Sequence, residues 1–151
     1  MNDLQKIQAH WLIRLGVLLF LLGLFVGLAV PVLTNPRMGL ASHLEGIING
    51  IFLIGLGGIW DRLVLSTLWL KSLFALLIYG AFANWLATFL AATWGAGRSM
   101  PIAGQGQTSD PTKELIVDSL LFSLSLAMII SCVLLLIGLR KTLIKNNNRS
   151  V

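Results

Sequence analysis

Long apolar runs broken by short polar stretches set the organisation of this chain. Runs at about 11–33, 42–60, 63–94 and 115–139 each approach or exceed the roughly 20 residues that cross about 30 Å of hydrocarbon as a helix. They predict an all-α, integral membrane four-helix bundle. Arg14 interrupts the first run, and Pro31, Asn35 and Pro36 close it; the third run passes Lys71 and is long enough to tilt or protrude. None of the runs alternates apolar with polar residues, so a transmembrane barrel is excluded. The loop at 95–114 is rich in Gly, Ser, Pro and Gln, and its Asp110-Pro111 pair reads as an N-cap followed by proline at the first helical position. Gly104 and Gly106 follow no strand and belong to no βαβ unit, which removes a dinucleotide reading. The whole of 1–151 is expected to be a single transmembrane domain.

Composition agrees with a lipid environment. Of 151 residues, 56% are hydrophobic and 11% charged, and the mean hydropathy is +0.86. A soluble domain carries about a quarter charged residues. The single Cys132 excludes a disulfide framework, a four-cysteine iron–sulfur site and a covalently attached haem. A net charge of +5 is first explained by the positive-inside rule. An even number of spans puts both termini on one side, together with Lys6, Arg14, Arg62, Lys71, Arg140, Lys141, Lys145 and Arg149, against Arg37, Arg98 and Lys113 on the other. Both termini are therefore expected in the cytoplasm, with 140–151 a short, frayed basic tail on anionic headgroups. The first run is too long for a signal-peptide core and lacks a clear cleavage site, so it is retained as a span. No aromatic-and-basic groove argues for nucleic acid.

Small residues recur every four positions as Gly23/Gly27, Ala83/Ala87/Ala91 and Ser119/Ser123/Ala127/Ser131, the pattern of close helix contacts. Polar residues inside the runs are costly and therefore site candidates: Arg14, His43, Glu45, Asn49, Lys71, Asn84, Thr88 and Asp118. Arg14 and Lys71 lie near the inner interface and can snorkel. The other six fall at one depth in the outer half, as the wall of a ligand pocket would. At about 100° per residue, His43 shares a face of the second helix with Gly46, Gly50 and Gly57. Glu45, Asn49, Phe52 and Leu56 share roughly the opposite face. Two readings of His43 stay open on this pattern: an imidazole bonded to a nearby carbonyl, or the ligand of a flat macrocycle lying along the glycines. Glu45 as a paired helix-start residue, Asn49 and Asn84 as interhelical hydrogen bonds, and Asp118 as a helix-start acid are likewise open.

Three stretches carry a resemblance. Met38-Gly-Leu-Ala-Ser-His-Leu-Glu-Gly-Ile-Ile-Asn-Gly50, Gly80-Ala-Phe-Ala-Asn-Trp-Leu-Ala87 and Trp94-Gly-Ala-Gly-Arg-Ser-Met-Pro-Ile-Ala-Gly104 resemble the hydroxylaminobenzene mutase family. That family is similar, more distantly, to the bacterial styrene oxide isomerases, four-span membrane enzymes with haem b. The shared element is a His followed six residues on by Asn-Gly, here His43, Asn49 and Gly50, and then aromatic-Ala-Asn, here Phe82-Ala83-Asn84. The resemblance implies that His43 is the axial ligand of the haem iron and that Gly46 and Gly50 lie against the haem. It also implies that Asn49 orients the substrate oxygen; from their place in the polar layer, Asn84 and Thr88 are expected to line the pocket and Glu45, if burial raises its pKa, to shuttle a proton. Thr88 stands where the epoxide isomerases have a tyrosine, which favours the mutase. It further implies a multi-pass protein of the bacterial inner (cytoplasmic) membrane and a homo-oligomer, trimeric in the isomerases, with haem between protomers. The expected activity is intramolecular isomerisation of arylhydroxylamines to 2-aminophenols, on a small aromatic substrate entering from the lipid bilayer. The alternatives are an epoxide-to-carbonyl isomerase and a non-catalytic haem-bearing anchor or electron-transfer subunit; His10, the only other histidine, lies at the opposite side, which disfavours a bis-histidine carrier.

Overall fold

A computed structural model describes residues 3–147, with side chains described to residue 139. Its elements are α1 (Asp3–Ala29), a tight turn at Val30–Val32, α2 (Pro36–Ile59), a second turn at Trp60–Arg62, α3 (Thr67–Trp94), the short α4 (Pro101–Gly104) and α5 (Pro111–Asn147). Four of these helices are long and apolar enough to cross a membrane. The 24 residues of α2 alone reach about 36 Å at 1.5 Å per residue.

α1, α2 and α5 begin before their apolar runs, whereas α3 begins at Thr67, inside its run, and α1 stops at Ala29, short of 33. Asn35, which reads in the sequence as closing the first run, is instead the N-cap of α2: its side chain accepts the Met38 N–H at 3.0 Å, and Pro36 takes the first helical position. The Asp110-Pro111 start of α5 is as expected, with Asp110 Oδ1 accepting the Thr112 N–H at 2.9 Å. Gly95, at φ 68°, ends α3 in the left-handed conformation, and its N–H bonds back to the Ala91 carbonyl. At its other end α5 continues to Asn147, past the expected boundary at 139. The side chains of Arg140, Lys141 and Lys145, and all of Arg149, lie outside the described residues.

Each end of the bundle is tied by polar side chains. At the loop end the buried Glu114 accepts the N–H groups of Gly97 (3.2 Å), Arg98 (3.2 Å) and Ser109 (2.8 Å). Asn35 donates to the Gly104 carbonyl at 3.1 Å. At the opposite end the buried Gln5 donates to Leu63 O (3.0 Å) and Gln8 to Leu70 O (3.3 Å), while Trp60 Nε1 donates to Gln8 Oε1 (3.1 Å). The Val64 N–H reaches Gly138 O there as well, at 3.2 Å. The start of α1 and the far part of α5 thus share one end of the bundle, as an even number of passes requires.

Within the bundle α2 lies between α1 and α3, and α5 packs along another side of α3. Leu12, Leu19, Leu53, Leu73 and Leu77 are fully buried in the core, which Trp60 extends to the turn after α2. The α3–α5 seam uses the alanine stripe: Ala83 and Ala87 pack against Leu124, and a Cβ on Gly80 would stand 2.5 Å from Met128 Sδ. Outward-facing positions are apolar too, with Leu28, Phe122 and Leu136 exposed, which is the distribution of helices surrounded by lipid.

Candidate functional site

α2 carries the site residues on two faces, and the two faces meet different helices. Along the first, glycine removes the side chains that would hold α1 away. A Cβ on Gly46 would lie 2.5 Å from Gly23 Cα, one on Gly50 2.7 Å from Gly16 O, and one on Gly57 2.6 Å from Ile13 Cγ1. Gly46 and Gly50, the glycines expected to lie against a haem, are here packed on the backbone of α1. At its upper end His43 is half-buried, and its Nδ1 lies 2.8 Å from the Gly23 carbonyl oxygen. A carbonyl can only accept, so Nδ1 is the donor in this contact and Nε2 is left for another partner. Beside the ring opens a groove of about 510 Å³ lined by Leu24, Gly27, Leu28, Val30, Leu40 and His43.

The second face turns to α3. Glu45 Oε2 accepts from Asn49 Nδ2 at 3.1 Å, one helical turn away, and from Asn84 Nδ2 across the interface. Both amides bond the same oxygen, which leaves Oε1 without a hydrogen bond among the described residues. Asn49 is buried; Glu45 and Asn84 are partly exposed. Carboxylates in this setting hold or pass protons, and the paired amides fix where the carboxylate stands.

The single polar layer expected from the sequence separates into distinct places. Thr88 is buried, and its hydroxyl donates to the carbonyls of Asn84 and Trp85, both at 3.0 Å, on its own helix. Asp118 joins the loop instead, accepting from Ser99 and from Arg98, whose Nε lies at 3.2 Å. The hydrogen bond and charge of Asp118 raise the Arg98 pKa, so this surface pair stays charged. Arg14 lies exposed, 5.3 Å from the Trp11 ring centroid.

Trp85 is the residue that the polar pattern passes over. It stacks on Phe89 with ring centroids 5.6 Å apart and planes 5° from parallel. Its carbonyl accepts from Ser42 Oγ at 3.3 Å, and its Nε1 is a buried nitrogen without a partner among the described residues. The one sequence signal for it is its place directly after Asn84.

Taken together, the helices and the two-faced α2 define a small all-helical protein of membrane type, with one oriented imidazole and one carboxylate–amide cluster on a shared helix. The chain belongs to the styrene oxide isomerase family, whose model matches residues 8–140. It is 49% identical over 140 residues to hydroxylaminobenzene mutase HabB of Ectopseudomonas oleovorans, covering 92% of this chain and 85% of that protein. It is 52% identical over 130 residues to hydroxylaminobenzene mutase HabA of the same organism, covering 85% of this chain and 96% of that protein. No solved structure matches it.

Proposed function

We propose that this protein is an intramolecular mutase that converts arylhydroxylamines such as hydroxylaminobenzene to 2-aminophenols. The observation that carries the reading is the similarity to two hydroxylaminobenzene mutases over 92% and 85% of the chain. In the net reaction the N–O bond breaks, a C–O bond forms at the ortho carbon, that carbon loses its proton and nitrogen gains one; substrate and product are isomers and no external reductant is consumed. The carboxylate of Glu45 receives the ring proton at Oε1 and returns it to nitrogen. Asn49 and Asn84 hold that carboxylate, and their amide carbonyls accept the N–H and O–H of the substrate. His43 would hold a haem b, which when bound would supply a Lewis acid toward the N–O bond.

The donor set at His43 suits that group: a single imidazole with its second nitrogen fixed by a backbone carbonyl, and otherwise apolar walls. Among the described residues, no three His, Cys, Asp or Glu side chains come together as a bare metal ion would require. The protein sits, in the same reading, in a bacterial inner membrane with both termini cytoplasmic. It forms a homo-oligomer, and its apolar aromatic substrate arrives through the lipid.

Epoxide isomerisation is the second reading, favoured by the family match. Thr88 weighs against it, because its hydroxyl is engaged by backbone carbonyls of α3 and has neither the reach nor the acidity of a phenol. The test is one preparation assayed for 2-aminophenol from hydroxylaminobenzene and for phenylacetaldehyde from styrene oxide. The first activity is expected to exceed the second; faster turnover of styrene oxide overturns the assignment.

A further inference from the structure

We propose that Gly27 of α1, with the carbonyl of Gly23, is a positioning site that fixes the orientation and tautomer of His43 and so presents Nε2 to the groove. The inference rests on the reading of His43 as the haem ligand. Gly23 and Gly27 form one small-residue stripe in the sequence, yet the structure gives them different partners. A Cβ on Gly23 would meet the backbone of Gly46 and Ile47, at 2.9–3.0 Å, as tight helix packing predicts. The three atoms nearest a Cβ on Gly27 would all belong to the His43 ring: Nδ1 at 2.5 Å, Cε1 at 2.8 Å and Cγ at 3.2 Å. Helix packing therefore explains the first glycine and leaves the second to the imidazole.

The geometry has a simple cause. In an α-helix the N–H of residue 27 points at the carbonyl of residue 23, which keeps a second lone pair. A side chain at 27 would lean back toward the preceding turn and cover that lone pair. Glycine leaves it bare, and Nδ1 reaches it at 2.8 Å. With Nδ1 protonated, the basic atom of the neutral ring is Nε2, on a residue that is the polar member of an otherwise apolar wall. A second bond of this kind holds a ligating imidazole in one rotation and raises its basicity, and its loss lowers metal affinity by about 10- to 100-fold.

The experiment uses the full chain purified with its haem. Readouts are haem per polypeptide on dilution and, after reduction, the Fe–His stretching band in resonance Raman spectra. Wild type should show the band at the higher frequency of an imidazole whose Nδ1–H is hydrogen-bonded. Gly27→Ala should lose about 10- to 100-fold in haem affinity and shift the band down. Gly55→Ala, where an added Cβ meets nothing within 4 Å, should match wild type in both. Unchanged affinity and band in Gly27→Ala overturn the inference, and so does a wild-type band at the frequency of a ring without an acceptor, a result that needs no variant to fold. No Fe–His band in wild type, with full haem in His43→Ala, would instead remove the ligand reading beneath it.

Discussion

The two faces of α2 are drawn from the same few turns, and they do opposite things. Toward α1, Gly46, Gly50 and Gly57 bring backbones together so closely that no added carbon fits, and only His43 at the upper end keeps a functional group. Toward α3, Glu45 and Asn49 meet Asn84, and side chains rather than backbone make the contact. One helix of a small all-helical enzyme thus divides its work between two neighbours. A glycine seam gives one helix a rigid reference for a single oriented imidazole, while a hydrogen-bonded cluster on the far side holds a carboxylate in place.

The division can be broken first at Glu45. In Glu45→Gln the proton acceptor disappears while both amide neighbours stay, so kcat should fall by about 10²- to 10⁴-fold with haem content as in wild type. Haem loss equal to that of His43→Ala would show that the faces are not separate.

A smaller effect belongs to Asn49→Ala, which removes one of two donors to Glu45 Oε2 and leaves that of Asn84. We expect roughly a tenfold fall in kcat, the order of one charge-assisted hydrogen bond, with the Soret band retained. If the band disappears with the activity, Asn49 supports the α1 side after all.

Smallest of all is Thr88→Val. Its hydroxyl bonds to carbonyls of its own helix, so hydroxylaminobenzene turnover should stay within about twofold of wild type, as expected for a self-satisfied hydroxyl. A loss as deep as that of Glu45→Gln would place Thr88 in the reactive cluster and merge what the structure keeps apart.

Much of this was legible in the residues. Hydropathy alone places four long helices, because a chain in lipid must satisfy every backbone group within its own helix. The Asp110-Pro111 signal places the start of α5, and a rotation of about 100° per residue puts His43 and Glu45 on different sides of α2. The alanine stripe on α3 likewise reads correctly as a contact.

Tertiary structure decided which helix each stripe meets and what each polar group finds there. Periodicity fixes an azimuth on one helix and says nothing of the neighbour at that azimuth. Gly46 and Gly50 therefore look like a free floor in the sequence and prove to be the seat of α1. Asp118, expected in one layer with Glu45 and Asn84, is taken by Arg98 and Ser99 of the loop, and Thr88 turns back to its own backbone. Gln5 and Gln8, unremarkable polar residues before the first apolar run, become buried ties because Trp60, Leu63 and Leu70 are folded against them. Hydrogen bonds are short and directional, so their partners exist only once the helices have been brought within about 3 Å of one another.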